Sequence, residues 1–245
     1  VSQPVVLSAS SVTTYQTCRL KWYFEYVAAI ESEKSEKSEP MLTGIAVHEA
    51  AELYLKGTVT KDSVVHTDPV LLPLERLFRD EILPTYEEVV AVEQEFQITV
   101  NGIPYAGTID AIDRWTRYWG KEVVIRDLKT TGSKPRPGGY RFAMCGYYLG
   151  AQSLGYDPCG MRLDYIVRTK KPYYLPEDFP VPTKYEILGF TISVETAAEN
   201  IAVGSYQPTG LGTSACSWCG FKSVCGPYQR YADATSPKRK EQSNG

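Results

Sequence analysis

The apolar and polar positions of this chain change period along its length, and each change marks a shift in predicted structure. Residues 8–29, SASSVTTYQTCRLKWYFEYVAA, open with small hydroxyl residues suited to helix capping. Tyr15, Leu20, Trp22, Tyr23, Tyr26 and Val27 then recur at helical spacing and predict one helix with Cys18 near its start. The charged run IESEKSEKSEP predicts a flexible loop. MLTGIAVHEAAELYLKG predicts a second helix stopped at Gly57. LLPLERLFRDEI, within residues 69–82, predicts a third, interrupted early by Pro73.

From about Glu93 the alternation has period two. EFQITV and IPYAGTIDAIDRW predict strands joined at Asn101-Gly102, a pair suited to a tight hairpin. KEVVIRDLKT predicts a third strand, TGSKPRPGG a loop, and YRFAMCGYYLGAQSLGY a long helix ending near Gly155. MRLDYIVRT and YEILGFTISV predict two later strands separated by a proline-rich loop. VETAAENIAVG predicts a short helix, and SPKRKEQSNG a disordered tail. No internal repeat is present. This order predicts an α/β or α+β domain, a mixed sheet flanked by helices.

Candidate chemistry falls on that frame. Asp110, in GTID, lies on the second strand of the meander, and Asp127-Leu128-Lys129 ends the third. Alternation puts Asp127 and Lys129 on one face and Leu128 on the other. Strand pairing brings Asp110 beside Asp127, and two carboxylates that close repel unless a divalent cation separates them. Lys129 adds a positive charge able to orient a water or stabilise a phosphate oxygen. D-x-K alone carries little information, because surface ion pairs produce it often; the upstream Asp110 gives it weight. His48, in GIAVH on the second helix, matters only in this company, and His66 reads as an ordinary loop residue. Glu93 and Glu95 read first as a solvated strand face and second as spare carboxylates for the site.

Composition narrows the class. The 245 residues fit one large domain, or one with appendages, and 43% hydrophobic with 22% charged residues is ordinary for a soluble globular chain. No apolar run approaches the roughly 20 residues needed to span a bilayer. VSQPVVLSASS lacks the pattern of a signal peptide, so a cytoplasmic location is expected. Six cysteines are too few for a disulfide-built scaffold. Three of them, Cys216, Cys219 and Cys225, stand in CSWCGFKSVC, a spacing that suits zinc and an iron–sulfur cluster equally. Cys145 reads as core and Cys159, in DPCG, as a turn residue.

The net charge of −3 argues weakly against a partner held by bulk electrostatics. Locally, however, Arg114, Arg117, Lys121, Arg126, Lys129, Lys134, Arg136 and Arg141 accompany only Glu122 and Asp127. Arg162, Arg168, Lys170 and Lys171 form a second basic cluster. Such stripes suit a phosphate backbone and, equally, a solvated sheet edge.

In chain order, a Cys in a Tyr/Trp-rich helix, GxxxH, GxxD, DxK, a Tyr-bearing helix and CxxC-x5-C resemble the RecB-like branch of the PD-(D/E)XK nucleases. The resemblance is strongest to its iron–sulfur members: CRISPR-associated RecB-like exonucleases, their phage-borne relatives and the nuclease domain of the AddB helicase subunit. It runs from about Ser8 to Tyr228. It implies a restriction-endonuclease-like core, with residues 1–235 as one nuclease domain and 236–245 as a tail. Within that domain, 8–30 and 205–230 would form a cluster-bearing subregion. It implies His48, Asp110, Asp127 and the Leu128 carbonyl as ligands of Mg²⁺ or Mn²⁺, and Asp110, Asp127, Lys129 and Tyr147 as the catalytic set. It further implies a structural 4Fe–4S cluster on Cys18, Cys216, Cys219 and Cys225.

One departure stands out. The family continues with Q-x-x-x-Y, and here Ala143 stands four residues before Tyr147, while the alternative Tyr148 is preceded by Met144. The implied activity is a DNA exonuclease acting on single strands or duplex ends, with Arg126, Lys134, Arg136 and Arg141 along the nucleic acid and no membrane. Two alternatives stand beside it: an inactive DNA-binding or adaptation-complex subunit of the same fold, and a zinc-stapled protein without nuclease activity. A separate helicase, a CRISPR adaptation or phage recombination protein, and a second copy of the chain are the partner classes left open.

Overall fold

The structure, a computed structural model, describes residues 5–33, 39–136 and 138–235. Part of the expected flexible loop, 34–38, and the expected tail, 236–245, lie outside the described residues. The elements are α1 (Ala9–Thr17), α2 (Arg19–Tyr26), α3 (Glu39–Leu55), α4 (Leu72–Leu77), β1 (Val89–Val100), β2 (Ile103–Arg117) and β3 (Gly120–Thr131). They continue with α5 (Arg141–Ser153), β4 (Pro158–Val167), β5 (Tyr173–Pro180), α6 (Lys184–Ala202), α7 (Ser214–Ser217) and α8 (Gly226–Thr235). The chain forms two compact units, Val1–Ala9 with Lys37–Ala198, and Ser10–Glu36 with Glu199–Gly245.

The first unit is built on a five-stranded sheet in the order β1-β2-β3-β4-β5. Its β1–β2 hairpin turns at Asn101 and Gly102, whose φ angles of 46° and 85° are the left-handed pair that a two-residue turn demands. β2 pairs antiparallel with β3, and β3 runs parallel to β4, as a crossover through α5 requires. On one side, Val47, Ala51 and Tyr54 of α3 pack with Leu74, Leu77, Phe78 and Ile82 over Leu128 and Ile166. Gly146 and Gly150, one turn apart on α5, let that helix settle on β1 and β2. A Cβ at these positions would come within 2.7 Å of Tyr105 and 2.5 Å of Phe96.

Several predicted elements are corrected. The first predicted helix is two, because Cys18 has φ −159° and ψ 112° and caps α2 from an extended conformation. The third is short, and Phe78–Ile82 continues it as a π-helical turn. YEILGFTISV is not a strand; it opens α6, whose buried Phe190, Val194 and Ala197 recur at helical spacing. A capping box starts it: the Glu186 N–H donates to Thr183 Oγ1 at 3.2 Å, and Thr183 N–H to Glu186 Oε2 at 2.8 Å. The proline-rich stretch expected as a loop is β5, an edge strand, where missing N–H donors can face outward.

In the second unit, Trp22 is fully buried, stacked on Tyr26 at 5.4 Å and Tyr206 at 6.0 Å and met edge-on by Tyr15 at 5.7 Å. The Tyr15 hydroxyl donates to the Ser205 carbonyl at 2.7 Å and Arg19 to Ser205 Oγ at 2.8 Å, tying residues near the two chain ends. Among the described residues no helix is long and apolar enough to cross a membrane.

Candidate active site

The GxxxH segment works by close approach. A Cβ at Gly44 would lie 3.0 Å from Thr130 Oγ1, so glycine lets α3 sit tight against the end of β3. One turn later His48 Nδ1 comes within 3.5 Å of Asp110 Oδ2. The same Asp110 oxygen accepts the Leu128 N–H at 2.9 Å. Burial, and next the charge of Lys129, push the His48 pKa down, so the imidazole is held neutral, the form that ligates metals.

Asp127 is 1% exposed, and Lys129 Nζ lies 2.8 Å from its Oδ1 and 2.7 Å from its Oδ2. Burial pushes the Asp127 carboxyl up to about 6 against the pull of Lys129, with Asp110 adding to the rise. Burial works to lower the Lys129 pKa, but Asp127 and Asp110 outweigh it and hold the ammonium charged. Tyr140, which the sequence reading passed over, sets its ring 5.5 Å from Lys129 Nζ. Tyr147 has its pKa raised by burial and then by the charge of Asp127, which places its phenol beside the pair. Tyr148 instead accepts a bond from Gln152 at 2.9 Å, and Met144 is fully buried.

These residues fit a divalent cation. Asp127 Oδ2 is buried with Lys129 Nζ at 2.7 Å, and a carboxylate oxygen so paired keeps a lone pair that a cation would take. One ligand atom each from His48, Glu93 and Asp110 lie within 4.8 Å of one another. Burial, followed by the charges of Asp110 and Glu52, pushes Glu93 up to about 7 against the pull of Lys56. Glu93, read first as a solvated strand face, is half-buried beside His48 and Asp110. An open cleft of about 420 Å³ reaches the group, lined also by Gly44, Glu49, Glu52, Lys129 and Thr130.

The basic stripe is corrected in part. Arg126 is fully buried: Nε donates to Asp164 at 2.9 Å, Nη2 to Thr85 Oγ1 at 2.8 Å, and the guanidinium lies 3.5 Å over the Tyr86 ring. It is a core cross-link and is closed to nucleic acid. Arg141 bonds Glu186 and the Pro180 carbonyl. Arg114 and Lys121 pair with Glu88, and Arg117 with Glu87. Lys134 and Arg136 are exposed in the loop after β3. β3 and β4 end side by side at Thr131 and Val167, so that loop leaves the sheet together with the one carrying Arg168, Lys170 and Lys171.

Four of the six cysteines belong to the second unit. Cys18, Cys216, Cys219 and Cys225 line one small cavity of about 30 Å³ with Leu20, Phe24, Leu211, Phe221, Lys21 and Lys222. All four are free thiols, and burial, then the neighbouring thiols after a lowering bond from Tyr228, leave the Cys225 pKa raised. Four thiols in an apolar pocket flanked by two lysines suit an anionic thiolate-bound centre. Cys145 is buried in α5, and Cys159, exposed at the start of β4, points its thiol to the Val123 carbonyl.

The mixed sheet and α3 thus bring His48, Glu93, Asp110 and Lys129 to one cleft. The family profile of the PD-(D/E)XK nuclease superfamily matches residues 6–85 and 69–226, and the chain belongs to that superfamily. Its fold is similar to the crystal structure of SSO0001, with a TM-score of 0.53 at 16% identity over 93% of this chain and 89% of that one. It is also similar to a protein from Eubacterium rectale provisionally assigned as an exonuclease, with a TM-score of 0.56 at 12% identity over 94% and 93% of the two chains. At these identities the likeness is one of fold. No curated protein sequence matches the chain significantly.

Proposed function

We propose that the chain is a divalent-cation-dependent DNA exonuclease of the RecB-like branch, acting on single strands or duplex ends. The observation that carries this reading is the meeting of His48, Asp110 and Lys129 at one open cleft, with the buried Asp127 ion-paired to Lys129. His48, Asp110, Asp127 and the Leu128 carbonyl would hold Mg²⁺ or Mn²⁺. A cation bound there supplies Lewis-acid stabilisation of a phosphate oxygen and lowers the pKa of water. Lys129, fixed by Asp127 and Tyr140, keeps its charge and presents it to the scissile phosphate. Tyr147 positions the Asp127–Lys129 pair, a task the family's glutamine shares elsewhere and Ala143 does not. The loops bearing Lys134, Arg136, Lys170 and Lys171 would hold the phosphate backbone beside Lys129.

The four-cysteine pocket would carry a 4Fe–4S cluster as a staple between distant parts of the sequence. Hydrolysis needs no redox step, so its part is structural. The test is digestion of 5′- and 3′-labelled single-stranded and duplex DNA by anaerobically purified protein, with Mg²⁺ or Mn²⁺ and with EDTA. Digestion with either cation and none in EDTA is expected; no digestion under any condition favours the inactive DNA-binding relative. Iron and sulfide analysis separates a cluster from zinc, and Cys18→Ser is expected to lose both the metal centre and thermal stability.

A further inference from the structure

The β1–β2 ladder pairs Val92 with Ala111 and Gln94 with Ile109, which sets Glu93 directly opposite Asp110. In mid-strand Glu93 adopts a φ of +50°, a left-handed backbone that side chains other than glycine rarely keep without a functional reason. Glu95, two residues on, has ordinary backbone and is exposed. Among the described residues the Glu93 carboxylate takes no hydrogen bond or ion pair, although it shares a space within 4.8 Å with ligand atoms of His48 and Asp110. The buried Asp127 adds its charge to the negative potential at Glu93.

We infer that Glu93 is a further ligand of the cation, supplied by β1 in addition to His48, Asp110, Asp127 and the Leu128 carbonyl. Hard divalent cations take six or more ligand atoms, mostly oxygens, so the set has room for a third carboxylate. The inference rests on the nuclease reading above, and its test separates the two.

Mn²⁺ binding is measured by electron paramagnetic resonance and calorimetry on the full chain, purified anaerobically and desalted from EDTA. Thermal shifts are recorded with and without Mn²⁺. The variants are Glu93→Gln, Glu93→Gly and, as a control, Glu95→Gln. Glycine accepts a φ of +50° without strain, so Glu93→Gly keeps the fold even where glutamine does not. The expected result is Mn²⁺ affinity at least tenfold weaker in both Glu93 variants, a smaller Mn²⁺-induced thermal shift, and wild-type behaviour in Glu95→Gln. A folded Glu93 variant that binds Mn²⁺ as tightly as wild type overturns the inference and leaves the nuclease reading standing. A wild-type chain that takes up no Mn²⁺ overturns both.

Discussion

The Asp110 carboxylate accepts the Leu128 N–H at 2.9 Å, just past the last β2–β3 backbone pair, Ala111 with Arg126. A side chain thus takes the place of a ladder rung, and the strands part where the site opens. Asp110→Asn keeps an acceptor oxygen but loses the charge. It is expected to melt close to wild type while DNA digestion falls about a hundredfold or more, the size of losing ~3 kcal/mol of charge stabilisation. Asp110→Ala leaves the Leu128 N–H unpaired and is expected to cost about 1–3 kcal/mol of stability as well. Digestion rates and urea unfolding separate the two effects, and equal stability in both variants would refute a structural part for this bond.

The Asp127–Lys129 pair is open to a double-mutant cycle. With Asp127 1% exposed, Lys129→Met leaves a carboxylate in the interior without its counter-charge. The expected cost is about 3–5 kcal/mol when the charge remains, and less to the extent that Asp127 takes up a proton. The double variant Asp127→Asn, Lys129→Met is expected to recover much of that loss, because neither charge then stays behind. Both of these and Asp127→Asn alone are expected to be inactive on DNA. Additive stability losses in the cycle would mean that the pair is not energetically coupled.

Arg126 and Lys134 stand in one basic stripe of the sequence and have opposite fates in the fold. Arg126→Met is expected to destabilise by about 3–5 kcal/mol, because Asp164 and Asp113 lose their buried partner. Lys134→Ala with Arg136→Ala is expected to leave melting unchanged, weaken DNA binding and flatten its salt dependence. Fluorescence anisotropy at two salt concentrations reads the second effect, and calorimetry the first. Unchanged DNA affinity in the loop variant would remove that loop from the substrate path.

Arg126 shows where sequence reasoning stops. Charge is visible along the chain, but whether a guanidinium faces water depends on Asp164, Asp113 and Thr85, which no local pattern connects to it. Glu93 was discounted for the same reason, since its value lies in a cross-strand register with Asp110. What is local was legible: the Asn101-Gly102 turn, the alternation that sends Leu128 into the core away from Lys129, and the helical spacing of α3 and α5. The α6 segment was misread because β-branched and aromatic residues in YEILGFTISV suggest a strand. Its decisive signal was the Thr183–Glu186 capping box, which begins two residues ahead of that stretch. β5 was missed because its prolines count against a central strand and not against an edge.

Glu75 supplies a pH dependence of stability through a buried carboxylate outside the proposed ligand set. It is 1% exposed and accepts the Tyr54 hydroxyl, the Val65 N–H and the His66 N–H, each at 2.7 Å. Burial works to raise its pKa, but the bonds from Val65, Tyr54 and His66 outweigh it and hold the carboxyl below its ordinary value. A carboxyl depressed in the folded state stabilises fully above its unfolded pKa of about 4.3 and loses that contribution as pH falls through the folded value. Glu75→Gln places an amide where three donors converge, so it is expected to cost about 1–3 kcal/mol near neutral pH. Melting curves from about pH 6 to pH 3 are then expected to converge, with the wild type losing stability and the variant changing less. A gap between the two that stays constant over that range would show that the Glu75 charge contributes nothing to holding α4 against Val65 and His66.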